Sequence, residues 1–186
     1  AEQWQNNWFI TLTYDDQNLP FKECINTKTG ELTGEYTPSL KPNDMTKFMK
    51  DLRRYWEYHY GEKNIRFYLC GEYGGRTARP HYHIIAFNLN IHDLKPCGRS
   101  KSGAMQWDSP EIRKIWGKGL IGIGRCTYDS CAYTARYMLK KQKGENAKEF
   151  YDKNGLEPEF TRCSRKPGIA AKYFEEHKDQ IYKYDE

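Results

Sequence analysis

The stretch IRFYLCGEYGGRTARPHYHIIAF, residues 65–87, decides the fold because it predicts two β-strands joined by a turn. The runs 65–72 and 84–87 are rich in β-branched and aromatic residues, and the segment between them holds glycines and ends at Pro80. Side chains alternate faces along a strand, so His81 and His83 share one face at a separation of about 7 Å. Two imidazoles in that arrangement can bind one metal ion together.

The pairing of the two predicted strands suggests a third ligand. If Glu72 lies opposite His81 and Cys70 lies opposite His83, all four side chains share one face of the hairpin. Two imidazoles and a carboxylate suit Mn²⁺ or Mg²⁺ and are compatible with Zn²⁺ or Co²⁺. A register slip of one residue would turn Glu72 to the other face. The alternative is that the histidines are partly buried strand residues bonded only to neighbours.

The segment YTARYMLKK, residues 133–141, carries a second chemical pattern. Asp129 and Ser130 are N-cap candidates ahead of it, which favours a helix. At 100° per residue, one side of this helix carries Tyr133, Arg136, Tyr137 and Lys140. The opposite side, predicted to face the core, carries Cys131, Ala132, Ala135, Met138 and Leu139.

A tyrosine hydroxyl beside cations has the chemistry of a nucleophile. Its ordinary pKa is about 10, and neighbouring positive charge favours the phenolate while it also neutralises a phosphate under attack. The alternative is that Tyr133 and Tyr137, one helical turn apart, form only a core or helix-stabilising contact.

The N-terminal third of the chain predicts a strand, a hairpin and a helix. The strand covers Trp8–Tyr14, the hairpin lies near Gly30, and Asn43 or Asp44 caps the helix. An apolar stripe at helical spacing predicts core packing for Met45, Phe48, Met49, Leu52, Tyr55 and Trp56.

The segment after the histidine strand predicts a loop, a helix and a strand. The loop runs over Asn88–Asp108, the helix opens at Ser109 with Pro110 in its first position and ends near Trp116, and the strand covers Gly119–Thr127. Strands and helices interspersed in this way predict an α+β domain in which helices cover an antiparallel sheet. The pattern contains no internal repeat and no domain boundary.

Composition fits a nucleic-acid partner. The chain has 186 residues, a formal net charge of +5 and 15% aromatic residues, with 15 Tyr and 5 Trp that suit stacking on unpaired bases. Six cysteines occur without a Cys-x-x-Cys pair, although Cys126 and Cys131 could be half of a zinc site. No apolar stretch approaches membrane-spanning length, so no membrane partner is expected.

Three blocks in order resemble the HUH endonucleases. Within that superfamily they are most similar to the rolling-circle replication initiators of microviruses, of the gokushovirus type. The blocks are FITLTYDD at 9–16, CGEYG at 70–74 running into RPHYH at 79–83, and the Tyr-x-x-x-Tyr-x-x-Lys helix. Residues 164–169, SRKPGI, are also similar to phage initiators.

The resemblance implies a fold, a metal site and a reaction. The fold is the ferredoxin-like or RRM-like sheet of HUH nucleases, and His81, His83 and Glu72 hold Mn²⁺ or Mg²⁺. Tyr137 with Lys140, or Tyr133 with Arg136, attacks single-stranded DNA at a replication origin and leaves a 5′-phosphotyrosine link and a free 3′-OH. The residues expected to contact DNA are Thr11, Thr13, Arg79, Arg136, Lys141, Arg165 and Lys166.

The same resemblance sets expectations about context. Host replication proteins are expected partners, and the cytoplasm of a bacterial host is the expected location. Residues 1–186 are expected to form a single nuclease domain trimmed at its N-terminus, because Ala1 is not a methionine and the family carries a cysteine-containing segment ahead of this point. Arg162 and the loop over Asn88–Asp108 are further candidates for contact with the DNA backbone.

Three other readings of the sequence remain open. A non-haem iron oxygenase also uses two histidines and a carboxylate, although it needs no tyrosines beside cations. A non-catalytic nucleic-acid-binding module would explain the charge and the aromatics, but structural metal sites prefer four protein ligands. A relaxase or transposase of the same superfamily is the alternative nearest to a replication initiator.

Overall fold

The computed structural model describes residues 4–75, 77–100, 103–136 and 141–184. Nine strands are present in this part of the chain: β1 Trp8–Thr13, β2 Phe21–Ile25, β3 Leu32–Pro38, β4 Arg66–Tyr73, β5 Pro80–Phe87, β6 Lys95–Arg99, β7 Met105–Asp108, β8 Ile121–Arg125 and β9 Phe160–Cys163. Its helices are α1 Pro42–Tyr60, α2 Pro110–Trp116, α3 Tyr128–Arg136, α4 Ala147–Lys153 and α5 Ala171–Ile181. None of these helices combines the length and apolarity needed to span a membrane.

A seven-stranded antiparallel sheet is the centre of the fold. Its strand order is β6-β7-β8-β1-β5-β4-β9, while β2 and β3 pair in a separate two-stranded sheet. The predicted class, an α+β domain with helices over an antiparallel sheet, is confirmed, and the arrangement is consistent with the HUH nuclease fold that the resemblance implies. The histidine strand β5 lies between β1 and β4, so its side chains are surrounded by sheet on both sides.

One face of this sheet is apolar and packs against α1 and α2. Its strands contribute Trp8, Ile10, Leu12, Phe67, Leu69, Tyr82, Ile84, Ala86 and Ile123. The predicted stripe of α1 is confirmed as core, with Met45, Phe48, Met49, Leu52 and Trp56 buried and Tyr55 packed at the margin. The apolar face occupies every second strand position, so the intervening positions, including both histidines, face the other side.

The start of α1 differs from the prediction. The helix begins at Pro42, after Lys41, and has no side-chain cap, so neither Asn43 nor Asp44 is the N-cap. Proline suits the first helical position because its missing N–H would have no partner there. The carboxylate of Asp44 instead accepts a hydrogen bond from the Tyr14 hydroxyl at 2.9 Å.

The predicted loop over residues 88–108 contains two strands, and the loop prediction is therefore wrong. β6 and β7 pair with each other, and β7 joins the sheet through Trp107 opposite Ile123. The pattern was hidden because every residue of β6 is exposed and the strand contains Pro96, which edge strands tolerate.

Candidate active site

The β4–β5 hairpin brings the three predicted metal ligands together. Glu72 pairs with His81 and Cys70 pairs with His83, which is the register expected from the sequence. Oε1 of Glu72 lies 2.6 Å from Nε2 of His81 and 3.1 Å from Nε2 of His83. Glu72 is 2% exposed and His83 is 5% exposed, so two of the three ligands are buried.

The donor set fits a divalent cation. Among the described residues, Glu72, His81 and His83 form a group whose ligand atoms all lie within 4.8 Å of one another. When metal–ligand bonds are about 2.1 Å long, neighbouring ligand atoms lie about 3 Å from each other. The distances from Oε1 of Glu72 to Nε2 of His81 and of His83 are close to that value, so the three atoms could bind one cation. Two nitrogens and one carboxylate oxygen do not by themselves select one metal.

The electrostatics of the site keep Glu72 ionised. Burial is the largest influence and opposes the charge, but hydrogen bonds and positive charge from His81 and His83 outweigh it and lower the pKa of Glu72 to about 2. An ionised carboxylate is the form that binds a metal. The carboxylate of Glu72 is therefore ionised across the physiological pH range.

Each imidazole has a second contact through its Nδ1 atom. Nδ1 of His81 lies 3.1 Å from the carbonyl oxygen of Arg79, and Nδ1 of His83 lies 3.1 Å from Oγ1 of Thr11. The ring of Phe9 stacks on His83 with centroids 5.2 Å apart and planes 12° apart. These contacts fix the orientation of both rings and direct their Nε2 atoms toward Glu72.

Helix α3 brings Tyr133 to the same face of the sheet. The Tyr133 ring meets His83 edge-on at a centroid distance of 5.3 Å and meets Phe9 at 6.3 Å. Its side chain is 45% exposed, so solvent and substrate can reach it. The other two members of the predicted nucleophile group, Tyr137 and Lys140, lie outside the described residues, and their roles stay predictions.

The start of α3 corrects the predicted cap. The helix begins at Tyr128, and Thr127 rather than Asp129 or Ser130 precedes it. Thr127 N–H donates to Oγ of Ser130 at 2.8 Å, and Ser130 N–H donates to Oγ1 of Thr127 at 3.2 Å. This reciprocal pair is a variant of the capping box, with Ser130 where Glu or Gln is usual.

The buried side of α3 also differs from the prediction. Thr134 is buried and Ala135 is exposed, whereas Cys131 and Ala132 are half-buried as expected. Thr134 tolerates burial because its hydroxyl donates to the Ser130 carbonyl at 2.7 Å, which satisfies the polar atom.

The cysteine pair gives no support for a zinc site. The Sγ atoms of Cys126 and Cys131 lie 3.5 Å apart, but in the described part of the chain no metal-capable group includes them. Burial, and then the hydrogen bond with Cys131, raise the pKa of Cys126 to about 11, which favours the thiol over the metal-binding thiolate.

The predicted DNA contacts divide into exposed cations and residues with protein partners. Arg136, Lys141, Arg165 and Lys166 are exposed. Arg79 instead donates through two nitrogens to the Tyr14 carbonyl and forms a 2.8 Å ion pair with Asp16.

The strand register shows the surroundings of two further residues that were predicted to contact DNA. Thr13 lies opposite His81, but its hydroxyl donates to the Leu120 carbonyl at 3.4 Å. Arg162 lies opposite Leu69, a core residue, and hydrogen-bonds to the Pro42 carbonyl and to Thr46. Arg162 therefore lies on the face of the sheet that packs against α1 (the α1 face) and not on the opposite face, which carries His81 and His83 (the metal face). Its expected contact with the DNA backbone stays a prediction.

A groove beside the metal ligands was not expected from the sequence. It has a volume of about 260 Å³ and is lined by Phe9, Thr11, Thr13, Gln106, Leu120, Ile121, Gly122, Ile123 and Gly124. Gly122 pairs with Thr11 and Gly124 pairs with Phe9, so both glycines belong to the metal face. The alternating glycines of IGIGR, residues 121–125, were the available signal.

Comparisons with known proteins place the chain among phage sequences. Residues 7–142 match the model of the replication-associated protein family of the ORF2 type. "Replication-associated protein ORF2" of Spiroplasma virus 4 is 40% identical over 181 residues, which cover 97% of this chain and 51% of that protein. "Replication-associated protein VP4" of Bdellovibrio phage phiMH2K is 30% identical over 185 residues, which cover 98% of this chain and 52% of that protein.

A third relative, "Replication-associated protein ORF4" of Chlamydia phage 1, is 30% identical over 145 residues, which cover 76% of this chain and 32% of that protein. The chain thus spans about half the length of the first two relatives. No solved structure matches it significantly.

Proposed function

This chain belongs to the replication-associated protein family of the ORF2 type, and on that premise we propose that it is an HUH-type endonuclease that nicks single-stranded DNA at a replication origin. The observation that carries the proposal is the contact between Tyr133 and His83, whose ring centroids are 5.3 Å apart. A phenol and a metal-capable group on one open face are the two components that tyrosine transesterification needs.

The proposed reaction is an exchange of phosphodiester bonds. A divalent cation, Mn²⁺ or Mg²⁺, held by His81, His83 and Glu72 would polarise the scissile phosphate. The tyrosine oxygen forms a bond to phosphorus, the bond from phosphorus to the 3′ oxygen breaks, and the phenolic proton is lost while the leaving oxygen gains one. The products are a 5′-phosphotyrosine link and a free 3′-OH, and because one phosphodiester replaces another, the reverse reaction can ligate.

Two tyrosines suit an initiator because one can hold the parental strand while the other cuts the regenerated origin. Tyr133 is positioned on the metal face by its contacts with His83 and Phe9. Tyr137 with Lys140 remains the second proposed nucleophile on the strength of the motif. Arg136, one turn from Tyr133 and exposed, is proposed to neutralise phosphate charge.

Covalent capture tests this function directly. The protein is incubated with origin-derived single strands and Mn²⁺, denatured, and separated from free DNA. A denaturant-resistant adduct whose DNA maps to Tyr133 or to Tyr137 supports the proposal. Cleavage without any adduct would indicate a metal-activated water, and binding without cleavage would indicate a non-catalytic module.

The relatives guide the choice between the remaining alternatives. Each is described as replication-associated and comes from a virus or phage, which favours an initiator over an oxygenase. A relaxase or transposase differs in its DNA partner, so capture that requires a phage origin would favour the initiator. We propose action in the cytoplasm of a bacterial host with host replication proteins, and we assign nicking to the portion of the relatives that this chain spans.

We propose that the DNA strand crosses the groove over β8. Gly122 and Gly124 have ordinary backbone angles and, beyond their chain neighbours, no described atom lies within 4 Å of where a Cβ would stand. By contrast, a Cβ on Gly71 would lie 2.7 Å from the Phe160 ring, so packing accounts for that glycine. Glycine inside a strand often marks the close approach of a ligand, and Gly122 lies two strand spacings from β5, roughly 10 Å from His83.

The variant Gly122→Val is expected to weaken single-strand binding about tenfold, since one base contact contributes roughly 1–3 kcal/mol. Valine suits a strand, so the thermal midpoint should not fall. Binding is measured by fluorescence anisotropy with a series of oligonucleotides that each lack one base. The strand that lacks the base over Gly122 should bind the Gly122→Val variant with restored affinity, because that strand has room for the valine side chain. If Gly122→Val bound every strand in the series with the affinity of the parental protein, a DNA path over β8 would be excluded.

Binding of single strands is also expected to weaken steeply with salt, because each neutralised phosphate releases counterions. For single strands, the slope of log affinity against log salt concentration is about −0.7 for each phosphate contact. If Lys141 contacts a phosphate, the variant Lys141→Met should reduce the magnitude of this slope by about 0.7. Lys63→Met is the matched control, because Lys63 pairs with Glu57 at 3.0 Å on α1. A parental affinity that does not change with salt would argue against a DNA partner.

A further inference from the structure

Thr11 has a contact that suggests a role in addition to the predicted contact with DNA. It lies directly opposite His83 in the β1–β5 register, and its Oγ1 atom is 3.1 Å from Nδ1 of that histidine. The other ring nitrogen, Nε2, faces Glu72 at 3.1 Å. The hydroxyl that the sequence suggested for DNA is therefore directed at a metal ligand.

The contact between Thr11 and His83 matters because only one nitrogen of a neutral imidazole carries a proton, and the other is free to bind a metal. A ring that offers its Nε2 lone pair to a cation carries its proton on Nδ1, and that N–H needs an acceptor when it is removed from water. A threonine hydroxyl accepts such a proton, and its β-branched side chain has few rotamers to lose. Thr11 thus satisfies the atom of His83 that does not face the ligand group.

Stacking alone does not select the correct ring orientation. Phe9 holds the plane of His83 with an interplanar angle of 12°, but a half-turn of the imidazole within that stack exchanges a nitrogen for a carbon. Only one of the two orientations places Nδ1 beside Thr11 and Nε2 beside Glu72. The hydrogen bond at 3.1 Å distinguishes between them.

The neighbouring threonine on the same strand face provides a natural comparison. Thr13 lies opposite His81, yet Nδ1 of His81 is 3.1 Å from the Arg79 carbonyl and the Thr13 hydroxyl donates to the Leu120 carbonyl. His81 is therefore oriented by a backbone group, whereas His83 depends on a side chain. Each threonine follows an aliphatic residue on the same strand, yet the two hydroxyls have different partners.

We propose that Thr11 is a positioning residue for the metal site, which orients His83 and holds the proton on its Nδ1 so that Nε2 can bind the cation. The inference rests on the proposed metal site. Partners of this kind typically change metal affinity by about 10–100-fold when they are removed. In this role Thr11 acts through His83 and not through contact with the DNA or the reacting atoms.

The test compares Thr11→Val, Thr11→Ser and Thr13→Val with the parental protein. Mn²⁺ affinity is measured by electron paramagnetic resonance without DNA, and thermal midpoints of the metal-free proteins report folding. Thr11→Val is expected to bind Mn²⁺ at least about tenfold more weakly, while Thr11→Ser and Thr13→Val keep the parental affinity. In Zn²⁺-loaded protein, the Nδ1 proton of His83 should be protected from exchange in the parental and Thr11→Ser proteins and lose protection in Thr11→Val.

The outcomes distinguish failure of the positioning role of Thr11 from failure of the metal site itself. Parental Mn²⁺ affinity in Thr11→Val would overturn the positioning role, and so would a Thr11→Ser variant as weak as Thr11→Val, because packing and not the hydroxyl would then be responsible. A parental protein that binds no Mn²⁺ would instead overturn the metal site itself.

Discussion

Covalent capture of single-stranded DNA is expected to fall by at least about a thousandfold when His81 and His83 are both replaced by alanine. Polarisation of a phosphoryl oxygen by a metal is worth several kcal/mol, and each ~1.4 kcal/mol changes a rate about tenfold. The measurement is the single-turnover yield of denaturant-resistant adduct in Mn²⁺. Capture by the double variant at the parental rate would exclude this group as the metal site.

The surroundings of Glu72 determine how that experiment should be controlled. Glu72 is 2% exposed and its carboxylate is hydrogen-bonded to both histidines, so the double replacement removes two partners from a buried charge. A loss of that kind costs about 3–5 kcal/mol of folding stability. The single variant Glu72→Gln removes the charge and keeps an acceptor oxygen, so we expect it to fold normally and to capture DNA weakly.

A histidine outside the site serves as the matched control. Nε2 of His92 lies 2.8 Å from Oε1 of Glu62, which makes it another carboxylate-bonded histidine. The variant His92→Ala should capture DNA at the parental rate. A similar loss in His92→Ala and in the double variant would point to a general effect on folding.

The second large effect is expected from the tyrosines, because Tyr133→Phe with Tyr137→Phe should eliminate adduct formation. Phenylalanine keeps the ring that contacts His83 and Phe9 but has no oxygen to attack phosphorus. Either single change should reduce capture and leave the other hydroxyl able to react, with Tyr133→Phe having the lesser or a comparable effect. Adduct yield and peptide mapping of the parental adduct measure this, and the DNA should lie between residues 133 and 140.

Other tyrosines provide sharp controls. Tyr128 is on the same helix and 86% exposed, so Tyr128→Phe should leave capture unchanged. Tyr14 is buried, and burial followed by the neighbouring Tyr82 raises its pKa far above the ordinary value, which makes it a poor nucleophile. An adduct on Tyr14 or Tyr128 would overturn the nucleophile assignment, and full cleavage by the double variant would imply hydrolysis by water.

Local pattern predicted most of the metal-capable group. A strand alternates its side chains between two faces, so the shared face of His81 and His83 followed from the sequence itself. The place of Glu72 depended on the hairpin register, which the structure supplies by pairing Glu72 with His81. The same logic failed at β6, because an exposed edge strand with Pro96 carries no apolar alternation to read. The predicted starts of α1 and α3 were also wrong, because Asp44 bonds to the distant Tyr14 and Thr127 precedes α3 in place of Asp129 or Ser130. The start of α2 was confirmed, with Ser109 as its N-cap.

The sequence by itself determined the α+β class, the core stripe of α1 and the face on which the two histidines lie, because each depends on a period set by the backbone of one element. Only the tertiary structure decided that Thr11 and not Thr13 bonds a histidine, that Tyr133 meets His83, and that Arg162 lies on the α1 face. Those contacts join segments far apart in the chain, with Thr11 and His83 separated by 72 positions. A local period fixes the direction of a side chain, but its partner is fixed only when the strands and helices pack together.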